Sequence, residues 1–496
     1  MPHKRVANPR HTPGTLPATA HHPSPPPRRA LSRLALGGLL LGLGACAATP
    51  PPAPDSGIDL PATWSTDVSS AARGGMVTAD AAWWSRFGDP LLSELVLRAL
   101  QANPSVQAAQ AALRQARALR DVAAARLGPT LDGSASAQRV ATDGRASGSS
   151  YQAGLDASWE IDIFGANRSA LGASEAGARA SAASLGDVQV SVAAEVALAY
   201  VALRGAQTQL GIAEQNLASQ LETLQITRWR QQAGLVGALE VEQAQTAAEQ
   251  TRAALPALQT GIAQGGHALA VLTGQSPAAL DRRLAERQPL PQAAIDAAAS
   301  LPAETLRQRA DVRAAEHRLS AEVARLAQAE AARLPSFRLG GSLGLNALTL
   351  GALSGAPVVG SLLAGVTLPL FDGGALRAQA QAQQAVLDQA LASYRSTVLA
   401  ALQEVEDALV ALHNDRLRVQ RLQAAALSAG NAAQLADDRY RSGLVDFQVV
   451  LDTQRTLLAT QERLASARTD VATDQVRLYK ALGGGWRDDT QAAATP

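Results

Sequence analysis

Two stretches without proline, from Ala166 to Ala233 and from Ala375 to Ser442, limit what this chain can fold into more than any other feature. Each holds about 68 residues, and a helix through either would run on the order of 100 Å at ~1.5 Å per residue. The spacing predicts such helices. Leu387, Leu391, Tyr394, Val398, Leu402, Val405, Leu409 and Leu412 recur every three or four residues, and Val450, Leu457, Leu464, Val471 and Leu478 every seven. These are coiled-coil seams. A helix that long with one apolar stripe has to pack side by side with others. Composition agrees: 47% of the 496 residues are hydrophobic but only 3% aromatic, so Ala, Leu and Val carry the apolar content. That balance suits long helices better than a thick core.

The helices recur because the chain repeats itself at a spacing of about 206 to 209 residues. Asn103-Pro104-Ser105-Val106, Leu113 and Leu127-Gly128-Pro129 correspond to Arg309-Ala310-Asp311-Val312, Leu319 and Leu334-Pro335. Asp162-Ile163-Phe164-Gly165 aligns loosely with Leu370-Phe371-Asp372-Gly373, and Ala233-Gly234-Leu235-Val236 with Ser442-Gly443-Leu444-Val445. Each half has one plan: helix, two short strands, long helix, glycine turn, helix. The halves span 83–292 and 298–486.

Strands are expected at Pro129–Val140, Tyr151–Trp159, Pro335–Leu345 and Ala364–Leu370, where small or polar residues alternate with apolar ones between Gly, Ser and Ala-rich loops. Their length, about 10 residues, is what membrane barrels require, yet four strands cannot close one, since the smallest outer-membrane barrels need about eight. Closure would need several copies, because unpaired edges are prohibitive in lipid. Trp159, Phe164, Phe337 and Phe371 lie in or beside these strands, where interfacial aromatics are useful. A pair of soluble hairpins is the alternative, and a filamentous coiled coil is disfavoured by the strands.

Residues 1–45 read as a secretory signal: a basic region ending in Arg28, Arg29 and Arg33, then an apolar run from Leu34 to Ala45 that is too short to span a bilayer. The run ends in Leu43-Gly44-Ala45-Cys46, which resembles a bacterial lipobox. Cys46, the single cysteine of the chain, is therefore expected to become the lipidated N-terminus of an extended segment, 46–82. Ala47, rather than Asp, resembles lipoproteins sorted to the outer membrane. Six of the 44 basic residues and none of the 43 acidic ones precede residue 46, so the remainder carries 38 bases against 43 acids, a net −5. Such a chain is a poor nucleic-acid binder. One cysteine also leaves no intramolecular disulfide and no cysteine metal cluster. Residues 487–496 are expected to be a disordered tail.

Several stretches together resemble the outer-membrane efflux proteins, the TolC-like channel-tunnels, and among them the lipoprotein subgroup that serves resistance-nodulation-division pumps. They are Trp83-Trp84 with Phe87-Gly88-Asp89, Trp159 to Gly165, Pro369 to Gly374, Glu404 to Leu409 and Leu478 to Trp486. The resemblance covers about Trp83 to Trp486 and makes 83–292 and 298–486 two outer-membrane efflux repeats. It implies a mainly α fold with a small β part: a homotrimer whose barrel takes four strands from each chain, twelve in all, continued by a helical tunnel across the periplasm. It implies as partners a periplasmic adaptor, an inner-membrane pump that supplies the energy, and outer-membrane lipid. Two positions depart from the family pattern: Ala310 replaces a proline suited to a helix start, and Gln448 replaces a leucine near the tunnel mouth.

By the same resemblance the turns Gly234-Leu235-Val236 and Gly443-Leu444-Val445 form the periplasmic tip that docks the adaptor, and Tyr440, Asp446, Gln448 and Asp452 fall in the gate. Three Asp452 carboxylates in a ring would favour cations, and Tyr440 and Asp452 are expected to bond to arginines such as Arg439 or Arg441. No catalytic constellation is found. His267, His317 and His413 stand alone in helical sequence, and Glu404, Glu406 and Asp407 read as a solvated helix face. Gly340-Gly341-Ser342-Leu343-Gly344 fits an esterase elbow, but that elbow joins a strand to a helix and this one lies within a predicted strand. The reading is a passive export duct without cofactor or metal, whose cargo is chosen by the pump. A duct for type I protein secretion and a lipid-anchored scaffold without a pore are the alternatives.

Overall fold

The computed structural model describes residues 57–59, 61, 63–64, 82–142, 145–293, 305–306 and 308–486. The signal, Cys46, most of 46–82 and the tail 487–496 lie outside the described residues. A 3-10 turn, Trp83–Phe87, precedes helices α1 (Pro90–Ala102) and α2 (Pro104–Ala125), then strands β1 (Thr130–Thr142) and β2 (Arg145–Ile161), the long helix α3 (Ala166–Gln232), α4 (Ala238–Leu272) and a short α5 (Asp281–Leu284). The order then recurs as α6 (Ala310–Ala331), β3 (Ser336–Ala347), β4 (Val358–Thr367), the long helix α7 (Ala375–Arg441) and α8 (Phe447–Ala481). The chain is mostly helical with one small sheet.

Both long helices have 67 residues and both partners have 35. Their starts are set by aspartates. The Asp162 carboxylate accepts from the amides of Asn167 and Arg168, and that of Asp372 from Gly374 and Leu376. Gly165 and Gly374 occupy the left-handed conformation at the two N-caps, with φ of 81° and 90°. Carboxylate oxygens satisfy amides that the first helical turn leaves free.

The sheet is antiparallel in the order β1-β2-β3-β4. Opposed residues share a face, so the register separates two surfaces. One face carries Leu131, Ala135, Tyr151, Leu155, Trp159, Ile161, Phe337, Leu339, Leu343, Leu345, Val358, Leu362 and Val366. The other is mainly polar, carrying Thr130, Asp132, Ser134, Gln138, Gln152, Asp156, Glu160, Arg338, Ser342, Asn346 and Ser361, with Val140, Val359 and Leu363 among them. On the polar face Glu160 stands opposite Arg338, and the Ser342 and Ser361 hydroxyls are 2.8 Å apart. The fourth strand differs from expectation: it begins at Val358, not Ala364, and ends at Thr367, not Leu370. Pairing with β3 sets both ends: Ser336, the first residue of β3, stands opposite Thr367, and Leu345 stands opposite Val358. The esterase-like Gly340–Gly344 run is strand β3.

Helix α3 packs against α2, α4, α6 and α8, and α7 packs against α6 and α8. The apolar stripe of α7 supplies the seam: Val398, Val405, Leu409 and Leu412 are buried. From the N-terminal segment, Trp64 packs on the Val405–Leu412 cluster and Ile58 on the one around Val398. The main core joins Trp83, Trp84, Phe87 and Tyr479 to Val196 and Tyr200 of α3, with the Trp83 and Tyr479 rings stacked at 5.4 Å. Close approach requires glycine at one point in particular. A Cβ on Gly186 would lie 2.0 Å from Nε1 of Trp486.

Residues matched between the halves do the same work by different chemistry. The Asn103 amide donates to the Leu272 carbonyl at the end of α4, and the Arg309 guanidinium to the Ala481 carbonyl at the end of α8. Arg309 is buried and also holds Asp311 and Glu404, each at 2.7 Å. Glu404 therefore does not belong to a purely solvated face. It receives a cation that the sequence pattern did not place beside it, and this anchor holds the start of α6, where proline is missing at Ala310.

Asp474, on α8, is buried. Arg477 reaches one carboxylate oxygen at 3.3 Å, and the other has no hydrogen-bond partner among the described residues. Burial, with the Asp415 carboxylate nearby on α7, pushes Asp474 up to about 6. The folded chain thus holds a proton that the unfolded chain has lost, so stability falls as pH rises from about 4 to about 6 and the full penalty is present above that range. Asp474→Asn should be more stable than the parent at pH 7, by about 1–3 kcal/mol, with the difference shrinking toward pH 4. Thermal unfolding at a series of pH values checks this, and a variant no more stable at pH 7 contradicts it.

Candidate functional site

The paired helical hairpins end in two turns of one design. At the end of α3 the Gly234 amide donates to the Gln231 carbonyl and the Leu235 amide to that of Arg230, at 2.9 and 2.8 Å. At the end of α7 Gly443 donates to Tyr440 and Leu444 to Arg439, at 3.0 and 2.9 Å. This double bond with a left-handed glycine is a Schellman cap, and the φ values are 74° and 73°. Each cap leaves a leucine projecting: Leu235 is 68% and Leu444 74% exposed, while Val236 and Val445 turn partly inward.

Beneath the turns, the hairpins are joined by Leu224, Val241, Ala244 and Ala247 from the first and Ala436, Tyr440, Phe447, Val450 and Leu451 from the second. Tyr440 is buried, with its ring 5.4 Å from Phe447 and the Arg230 guanidinium 4.2 Å above it. Arg230 also donates to the Tyr440 carbonyl at 2.8 Å. Among the described residues the Tyr440 hydroxyl has no hydrogen-bond partner. Tyr440 thus works through its ring and carbonyl, and its arginine is Arg230, not Arg439 or Arg441. Arg441 bonds to Asp437 and Glu222 at 2.8 and 3.4 Å.

Asp446, Gln448 and Asp452 are exposed. Gln448 donates to Asp452 at 3.1 Å, one turn along α8, and Arg455 approaches the same carboxylate oxygen at 3.9 Å. Within one chain the four expected gate residues therefore separate into a polar exposed row and a buried tyrosine. Between the hairpins lies a polar cleft of about 310 Å³, lined by Gln220, Thr223, Asp437, Arg441, Gln454 and Gln461 among others. Gln454 donates to Thr223 and Asn216 to Gln461 across it, at 3.0 and 2.9 Å. Sequence reasoning missed Arg230, Glu222 and Phe447. Arg230 carried a signal, since a cation in the last turn of a helix complements the helix dipole. Among the described residues no group of three or more His, Cys, Asp or Glu could hold a metal.

The outer membrane efflux protein model matches the chain twice, over residues 95–275 and 301–484. The pyoverdine export outer membrane protein OpmQ of Pseudomonas putida is 34% identical over 465 residues, covering 91% of this chain and 97% of that protein. The toluene efflux pump outer membrane protein TtgF of Pseudomonas putida is 33% identical over 82% of this chain and 86% of its own length. The solved outer-membrane channel OprN superposes with a TM-score of 0.82 at 34% identity, over 89% of this chain and all of that one. The chain belongs to the outer membrane efflux protein family. It is an outer-membrane efflux channel of a family of channel proteins that work with adaptor and inner-membrane pump partners.

The Arg230–Tyr440 contact ties the two turns together, and cation–π pairs contribute about 0.5–2 kcal/mol. Arg230→Ala should leave helix content by circular dichroism unchanged and speed amide exchange in 224–247 and 436–451. Hydrogen exchange with mass spectrometry checks it, and parental protection at both turns contradicts it.

Proposed function

We propose that three copies of this chain form a passive duct, each lending four strands to a barrel of twelve and two hairpins to a helical tunnel. The observation that carries this reading is the amphipathic sheet with free edges at β1 and β4. A barrel abolishes edges, and an apolar outer face suits lipid while a polar inner face suits water. A second apolar stripe on α7, with Leu399, Val410, Leu417 and Leu435 exposed, suits packing against another copy. The two sequence halves, 83–292 and 298–486, act as repeats of one unit in this assembly.

At the periplasmic end, Gly234-Leu235-Val236 and Gly443-Leu444-Val445 form the docking turns, with Leu235 and Leu444 as apolar contacts for the adaptor. Asp446, Gln448 and Asp452 line the mouth, and Tyr440 supports it from behind. The Gln448 amide bonded to Asp452 makes this mouth polar where a leucine would dry it. Acyl chains on Cys46 anchor the N-terminus to the outer membrane. The cargo is a class of small organic compounds delivered by the pump, as the pyoverdine and toluene named in two relatives suggest.

Reconstitution into a planar bilayer tests the duct. The parent protein should show a small, cation-preferring conductance. Asp452→Ala should raise it about two-fold or more and weaken the preference for cations, since the carboxylate ring both narrows and charges the mouth. A folded, inserted protein without conductance contradicts the duct, and a variant with parental conductance and selectivity removes Asp452 from the mouth.

A further inference from the structure

The second hairpin, α7 with α8, carries a buried acid where its seam calls for an apolar residue. Asp474 lies three residues after Val471 and four before Leu478, at the core position that Ala467 and Ala481 fill one heptad to either side. A polar residue at one core position costs stability, and Arg477 offsets that cost only in part. Only 3% of the Asp474 side chain is exposed; Arg477 reaches its Oδ1 at 3.3 Å, and its Oδ2 has no hydrogen-bond partner among the described residues.

The group that faces Asp474 from α7 is the Asp415 carboxylate, within hydrogen-bond reach. Two ionised carboxylates only accept, so this approach becomes a bond when one of them carries a proton. We propose that Asp415 and Asp474 share a single proton and so form a latch on the second hairpin, closed in acid and released toward neutral pH. With the proton in place, the Asp474 hydroxyl donates to Asp415. Without it, two like charges meet in a buried seam and repel. The more buried Asp474 keeps the proton, since the Asp415 side chain is 24% exposed and accepts from Arg418 at 3.4 Å. Burial, with the charge of Asp415, pushes Asp474 up to about 6, so the release falls between acid and neutral pH.

The other charges around the pair are turned elsewhere. Arg418 also bonds Asp470, one turn before Asp474, at 3.0 Å, and the Arg416 Nε is buried with no hydrogen-bond partner among the described residues. Gly205 lies against Thr469 and Gly484 against Val190, which runs α3 antiparallel to α8 and sets Tyr200 level with Asp474. On that stretch of α3 Glu195 is exposed, the Tyr200 hydroxyl donates to Asp89, and Arg204 donates to Gln207 and the Glu286 carbonyl. His267 of α4 is exposed.

Release matters because of what lies below the latch. Between Leu412 and Ala436 the buried residues of α7 are Ala429 and Ala433, and between Leu451 and Asp474 those of α8 are Ala465, Ala467 and Ala472. Alanine buries little apolar area, so this stretch depends on the seam above it and the tip cluster below it to stay docked. On the duct reading above, a loosened second hairpin widens the mouth.

Infrared difference spectra and hydrogen exchange of the detergent-extracted full chain test the latch from about pH 5 to about pH 7.5. The parent should show a protonated carboxyl band that titrates near pH 6 and is missing in Asp474→Asn. Corrected for the intrinsic rate, exchange in 416–435 and 452–473 should quicken about tenfold or more from the acid to the neutral end. Asp474→Asn and, separately, Asp415→Asn supply an amide that donates as the shared proton did, and both should stay protected throughout. A parent without the band, or Asn variants that keep the parental pH dependence, overturns the latch. Planar-bilayer conductance of the same proteins tests the coupling to the mouth: it should rise with pH more in the parent than in either variant. Equal pH dependence in all three overturns the coupling and leaves the duct intact. A protein that conducts at no pH overturns the duct, while the band and the exchange still decide the latch.

Discussion

Lipid offers no hydrogen bonds, so every backbone N–H and C=O at membrane depth has to be bonded within protein. Among the described residues the β content is four strands, β1 through β4, whose two outer edges are unpaired. On the shared-barrel proposal, that requirement accounts for both the small sheet and the long helices, since a chain that lends only part of a barrel keeps most of its length for a tunnel. The helices α3 and α7 follow β2 and β4 through Gly165 and Gly374. The Asp162 and Asp372 carboxylates fix these junctions by bonding the first free amides of each helix.

Away from the membrane, the hairpins hold together by seams of small and apolar residues, with polar ties at chosen points. Arg309 gathers the end of α8, the start of α6 and the middle of α7. Such a buried cation is costly to leave without its anions, which makes this junction rigid. The tip is built differently. Its core is a small cluster from Leu224 to Leu451 in which Tyr440 sits between Phe447 and Arg230, its outer row is polar, and its leucines project. A small core opens at lower free energy than the body of a fold, which fits the proposal that this end is a mouth yielding to a docking protein.

Much of this was legible in the sequence. The absence of proline marks α3 and α7 to within a residue of their observed ends, and for α7 the three-to-four spacing of Leu387 to Leu412 adds the apolar stripe. Gly234 and Gly443 were equally clear, since only a left-handed cap explains a glycine there. What escaped notice depends on packing between distant segments. Glu404 looked solvated because Arg309, 95 residues away, was invisible to local pattern. For Tyr440 the sequence points to a neighbouring arginine, Arg439 or Arg441, because Arg230, 210 residues away, is invisible to local pattern. The fourth strand was placed too late because its first residues, Val358 to Leu363, lack alternation between apolar and polar types.

The central claim is that one chain is a third of a duct. Native mass spectrometry of the detergent-extracted protein, with planar-bilayer recording from the same preparation, tests it most directly. The account predicts that the conducting species contains three chains and that none of the single-chain fraction conducts. A single-chain species that opens a stable pore would contradict it, because four strands with two free edges would then have closed a barrel alone.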